Sequence, residues 1–134
     1  MTRQEVIDYW INSADIDFKA MENLFENGHY VWALFVGHLV IEKLLKAHYV
    51  KAVDTTVPKI HNLLRIAELI NLPLSEQDKD TLLDITAFNL ITRYPDYKQR
   101  FYLKATKDFT ETYLNKIKEL RIWLLEKLNN QLKM

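Results

Sequence analysis

The chain has 134 residues, 49% hydrophobic and 27% charged, enough for one globular core and far from a disordered composition. Eighteen basic residues balance eighteen acidic ones, so nothing indicates generic attraction to nucleic acid or to an anionic membrane. The lack of cysteine excludes a disulfide framework, a thiolate metal site and a cysteine nucleophile.

With two glycines and three prolines, turns are few, which argues against a β-sandwich and for long helices packed as a bundle. The N-terminus lacks the uninterrupted apolar run of a signal peptide, and no stretch approaches the ~20 apolar residues of a membrane span. The expectation is a cytoplasmic protein with no membrane partner, its residues 1–134 forming a single domain.

Thr2 followed by Glu5 is a capping-box pattern opening a first helix that runs to about Glu26, with Val6, Trp10, Ala14, Phe18, Met21 and Phe25 stacked on one face. Asn27-Gly28 supplies a left-handed C-cap. A second helix is predicted over about Tyr30–Ala52, with Lys43, Lys46 and Lys51 off its apolar stripe. Gly37 in mid-helix costs roughly 1 kcal/mol against alanine and suggests close approach of another helix. Asp54–Pro58 reads as a loop, followed by a short helix over about Ile60–Ile70 that Asn71-Leu72-Pro73 stops. Ser75 caps a fourth helix that ends before Arg93. Arg93–Tyr97 reads as an ordered loop, and a last helix covers about Ala105–Asn129. The expected fold is all-α, an up-and-down bundle of four to five helices.

Three blocks resemble the HEPN family, named for higher eukaryotes and prokaryotes, nucleotide-binding. They are Gly37–Ala47 with its Glu42-Lys43 and Lys46, then Pro58-Lys-Ile-His-Asn-Leu63, then Arg93-Tyr-Pro-Asp96. The last is similar to a hallmark of one prokaryotic branch, and Asn62 stands where Asp is more usual, a change expected to weaken a cap or charge role there. The resemblance implies a HEPN-like bundle, often a homodimer, that partners a minimal nucleotidyltransferase as a complex or toxin–antitoxin pair. Ribonucleolytic members use an arginine and a following histidine separated by four to six residues. No arginine here has that partner: all four histidines precede Arg93, and Lys98, Gln99 and Arg100 occupy the expected positions after it.

Candidate ligand-binding residues are Lys46, His61, Arg93, Tyr94, Asp96 and Tyr97. Lys46 reads either as the partner of Glu42 in a surface i, i+4 pair or as a phosphate ligand in the bundle's cleft. His61 is placed at the start of the third helix, where it contacts a nucleotide or phosphate, carries a proton, or bonds a carbonyl of the preceding loop. Arg93, Tyr94, Asp96 and Tyr97 combine a planar cation, two stacking rings and an acceptor, groups suited to a base and a phosphate. Between Arg93 and Lys107 five basic residues interleave with aromatic ones, the most nucleic-acid-like stretch of the chain, although a loop packed over the bundle end has the same composition.

Trp32 lies off the apolar line of its helix and is the first choice for a side chain buried between subunits. His29, His38 and His48 lack the spacing of a metal pair, so no metal or cofactor is expected. The leading expectation is a non-catalytic HEPN-type protein, a homodimer that partners a nucleotidyltransferase and binds a nucleotide or RNA. The alternatives are a ribonuclease using Arg93 with His61 or His48, and a purely structural dimerisation module.

Overall fold

A computed structural model describes residues 1–132, the side chains of Pro95 and residues 130–132 excepted. Its helices are α1 (Arg3–Glu26), α2 (Tyr30–Ala52), α3 (Leu63–Leu69), α4 (Glu76–Ile91), α5 (Pro95–Lys104) and α6 (Lys107–Leu132), with no strand among the described residues. The capping box forms as expected: the Thr2 hydroxyl accepts from the Glu5 amide, and the Glu5 carboxylate accepts from the Thr2 amide, both at 3.1 Å. Gly28 takes φ +79° between α1 and α2, the conformation its missing Cβ permits.

Six helices replace the expected four to five because Arg93–Tyr97 is only in part a loop. Tyr94 is extended, as a residue before proline must be, and α5 then starts at Pro95, whose missing N–H would be unpaired in a first turn anyway. Thr106 caps the next helix by accepting from the Phe109 amide, so α6 begins at Lys107 rather than Ala105. The third helix starts at Leu63, not Ile60. Asn62 caps it by accepting from the Arg65 amide at 3.1 Å, so asparagine serves there as well as aspartate would.

Helix α2 is the axis of the bundle. It packs along α1 and also touches α3, α4, α5 and α6. Burial therefore extends around nearly its whole circumference and takes in Leu34, Ile41, Leu44 and Leu45 together with His38, Glu42, Lys46 and His48. This corrects the reading of Lys46 as a residue off the buried stripe. Polar ties fix α2 to its neighbours: Lys43 reaches Asp17 at 2.6 Å and the Ser13 hydroxyl at 2.7 Å on α1, and Lys51 donates to the Leu128 carbonyl of α6 at 2.8 Å.

The expected close approach at Gly37 is present. A Cβ built there would lie 2.6 Å from Ile117 Cδ1 and 3.3 Å from Met21 Sδ. Ile117→Val removes the nearer atom and is expected to cost roughly 0.5–1.5 kcal/mol by itself. Adding Gly37→Ala to that variant should return about 1 kcal/mol of helix propensity, a positive coupling that a urea-denaturation double-mutant cycle measures.

Candidate functional site

Residues 38, 42 and 46 stand one helical turn apart on a single face of α2, a polar stripe on a largely apolar helix. Opposite that face runs the irregular segment between α2 and α3, which brings His61 against it. Glu42 joins the group: its Oε2 accepts from Lys46 Nζ at 3.1 Å and its Oε1 accepts from His61 Nδ1 at 2.9 Å. Glu42 is only 5% exposed and Lys46 7%, so the pair is interior, not the expected surface pair. Lys46 Nζ also lies 5.4 Å from the centre of the Trp10 ring, whose face gives the cation a second favourable contact from α1.

His38 clamps the backbone of the same segment. Its Nε2–H donates to the His61 carbonyl oxygen at 2.9 Å, and Asn89 Nδ2, 3.4 Å away, donates to its Nδ1. Those partners assign the neutral tautomer protonated at Nε2. Burial pushes the His38 pKa below its ordinary value, with the Arg93 charge adding to the effect and Glu42 opposing it. His61 is thus held at both its ring and its carbonyl, while its side chain stays 52% exposed. With Nδ1–H committed to Glu42, the ring presents Nε2 as its remaining polar atom. This differs from the expected bond between His61 and a loop carbonyl: its ring is anchored by a carboxylate, and its own carbonyl accepts.

The six candidate residues fall into two places. Lys46 and His61 share Glu42, and exposed Arg93, one turn beyond Asn89, is close enough for its charge to bear on His38. Tyr94 and Tyr97 pair edge to face at 6.1 Å and line a different hollow with Ala87, Leu90 and Ile91, while Asp96 is exposed in the first turn of α5. Trp32 is 40% exposed, with Lys98 Nζ 4.1 Å from its ring centre. His48 does not share this surface: its Nε2–H donates to the Leu124 carbonyl at 2.9 Å and it is buried against α6, which removes it as a partner for Arg93 in phosphodiester chemistry. Glu42 and His38 are the site residues that sequence reasoning missed. The i, i+4, i+8 spacing of His38, Glu42 and Lys46 was the available signal, but spacing alone does not say that their face is buried.

An all-helical bundle with α2 as its axis, and a carboxylate-centred polar cluster beneath a half-exposed histidine, defines the class of protein. A family model for the HEPN domain matches residues 7–128, nearly the whole chain, and the chain belongs to the HEPN family. No curated protein and no solved structure gives a significant match. Among the described residues, no helix is long and apolar enough to cross a membrane.

Proposed function

We propose that this HEPN-family chain is a non-catalytic binding protein, a cytoplasmic single-domain homodimer that partners a minimal nucleotidyltransferase and takes a phosphate-bearing nucleotide or RNA at the surface around half-exposed His61. The observation that carries this reading is the fixed imidazole. Glu42 holds Nδ1, His38 holds the His61 carbonyl, and Arg93 is close enough for its charge to bear on His38 beside it. A positioned imidazole edge and a guanidinium together suit a phosphate oxygen. Lys46 acts one step back, donating to Glu42 Oε2 and so holding that carboxylate in place. The missing arginine–histidine ribonuclease spacing supports binding without cleavage. Titration with a short single-stranded RNA is expected to show saturable binding that His61→Ala and Arg93→Ala each weaken at least roughly fivefold, as loss of a charge-assisted hydrogen bond requires. Unchanged affinity in both variants would sink the reading.

One observation favours a second reading. A carboxylate 2.9 Å from an imidazole whose other nitrogen is accessible is the arrangement general-base sites use. In an HEPN-derived ribonuclease of this kind, His61 Nε2 would take the proton of a ribose 2′-hydroxyl while that oxygen attacks the adjacent phosphorus. As the P–O2′ bond forms the P–O5′ bond would break, the leaving 5′-oxygen taking a proton from solvent water, and Arg93 would stabilise the extra charge. Cleavage of tRNA or total RNA by the pure protein, lost in both His61→Ala and Arg93→Ala, would select this reading over the first.

A further inference from the structure

A cavity of about 300 Å³ opens between α4, α5 and α6, and none of the residues around His61 lines it. Helical spacing builds its walls: Ala87 and Ile91 of α4, Tyr97 and Arg100 of α5, and Phe109 and Tyr113 of α6 are pairs three or four positions apart. Buried Phe88 and Phe101 form its floor, stacked at 5.3 Å. Phe88 also meets Tyr113 edge-on at 5.0 Å, and Phe109 and Tyr113 are tilted 5.0 Å apart. The rings are therefore held in place before any ligand arrives, which lowers the ordering cost of binding.

Three polar groups around this cavity lack a full set of partners. Tyr113 OH donates to Asp84 Oδ2 at 2.8 Å, and burial together with that bond pushes the phenol up to about 12, so it remains a donor. Asp84 Oδ1 has no protein donor among the described residues. Arg100 and Lys104 are exposed at the rim, and among the described residues neither has a carboxylate within ion-pair distance. Each rests beside a ring instead, Arg100 5.7 Å from the centre of Tyr97 and Lys104 5.6 Å from that of Phe109. Two like charges at i, i+4 repel one another, so an anion shared between them removes a cost as well as adding a contact. The planar guanidinium matches the two oxygens of a carboxylate. Aromatic walls call for a flat ring, and the open acceptor on Asp84 calls for an N–H on that ring. A cavity at the low end of the roughly 300–1,000 Å³ small-molecule range holds one fused ring with a short acid arm.

We propose that this cavity binds an aromatic carboxylate whose ring carries an N–H, of the indole-3-acetate type. The ring lies against Tyr97, Phe109 and Tyr113, its N–H donates to Asp84 Oδ1, and its carboxylate is held by Arg100 and Lys104. The site is separate from the surface around His61 and does not rest on the reading of that surface. It gives a role to part of the basic, aromatic stretch between Arg93 and Lys107, of which Arg100 and Lys104 reach the cavity while Lys98 is drawn to Trp32.

Calorimetric titration near pH 7 with indole-3-acetate, 1-methylindole-3-acetate, indole and acetate tests it, because each of the last three drops one contact. Indole-3-acetate should bind saturably. The 1-methyl compound, lacking the N–H, and indole, lacking the carboxylate, should each bind at least roughly fivefold more weakly, and acetate should show no saturable binding. Arg100→Ala should weaken indole-3-acetate at least roughly fivefold while leaving indole unchanged, and in Asp84→Ala indole-3-acetate and its 1-methyl derivative should bind equally. Both side chains are exposed, so the two variants should keep the wild-type thermal transition, which shows that any loss of binding is local. Absence of saturable binding of indole-3-acetate would overturn the proposal, as would indole binding as tightly as indole-3-acetate. Binding that neither Arg100→Ala nor Asp84→Ala alters would overturn it too, by placing the ligand elsewhere. AMP is the contrasting probe: if AMP binds more tightly than indole-3-acetate and Arg100→Ala weakens it, the cavity belongs to a different ligand class and the proposal fails.

Discussion

Replacing Glu42 by alanine is expected to destabilise the fold by roughly 3–5 kcal/mol, the cost of leaving one member of a buried ion pair without its counter-charge. Lys46 would bear that cost. Its ammonium is interior, donates to Glu42 Oε2, and retains only the Trp10 ring once the carboxylate is gone. Lys46→Met should cost distinctly less, because Glu42 keeps its bond from half-exposed His61. The double variant Glu42→Leu/Lys46→Met should recover most or all of the single-variant loss, since well-packed apolar replacements for a buried pair are often neutral or stabilising. Urea denaturation of the wild type, Glu42→Leu, Lys46→Met and the double variant gives the cycle, with Glu42→Ala measured beside them. Recovery of stability with loss of RNA binding would assign the pair to positioning His61, while equal losses in Glu42→Ala and in the double variant would contradict the ion-pair account.

Stability should also fall on mild acidification, before the carboxylates titrate. His38 and His48 both have pKa values held below the ordinary 6.5, in each case first by burial and then by nearby charge: the His61 ring and then Arg93 for His38, and Lys51 and Lys127 for His48. The bonds to the His61 and Leu124 carbonyls oppose the shift without cancelling it. In the unfolded chain both rings take up a proton near pH 6.5, whereas in the folded chain they do so only at lower pH. The stability is therefore complete above pH 6.5 and is lost as pH falls from there through the folded-state values. Each histidine contributes at most about 1.4 kcal/mol per pH unit in that window. Urea midpoints at about pH 7.5 and about pH 5.5 should differ by an amount corresponding to roughly 1–3 kcal/mol. His48→Gln, which keeps a donor for the Leu124 carbonyl but cannot titrate, should remove about half of that difference. A pH-independent midpoint across the window would refute the buried-neutral assignment.

Periodicity and caps made most of the fold legible before any coordinates. The α2 bounds, the Thr2 capping box, the Asn27-Gly28 turn and the Ser75 cap all depend on contacts within a few residues, and all were correct. The Arg93–Tyr97 segment was misread because Pro95 and its flanking tyrosines carry turn chemistry, and proline also suits a first helical turn. Which role it takes depends on how the following residues pack, and Phe101 is the buried residue that anchors α5 to Phe88.

Residue identities alone determined that this chain would be helical and of HEPN type, and they supplied the stripe His38–Glu42–Lys46 and the basic, aromatic run after Arg93. Tertiary structure alone decided that α2 is surrounded on nearly every side, which turns a routine i, i+4 pair into an interior one and delivers His61 to Glu42 from nineteen positions away. It also placed Tyr97 and Arg100 on a cavity that His61 does not line. Local sequence governs hydrogen bonds one turn apart, but burial is set by what neighbouring helices cover, and that coverage fixes which charges must be paired and which side chains can meet.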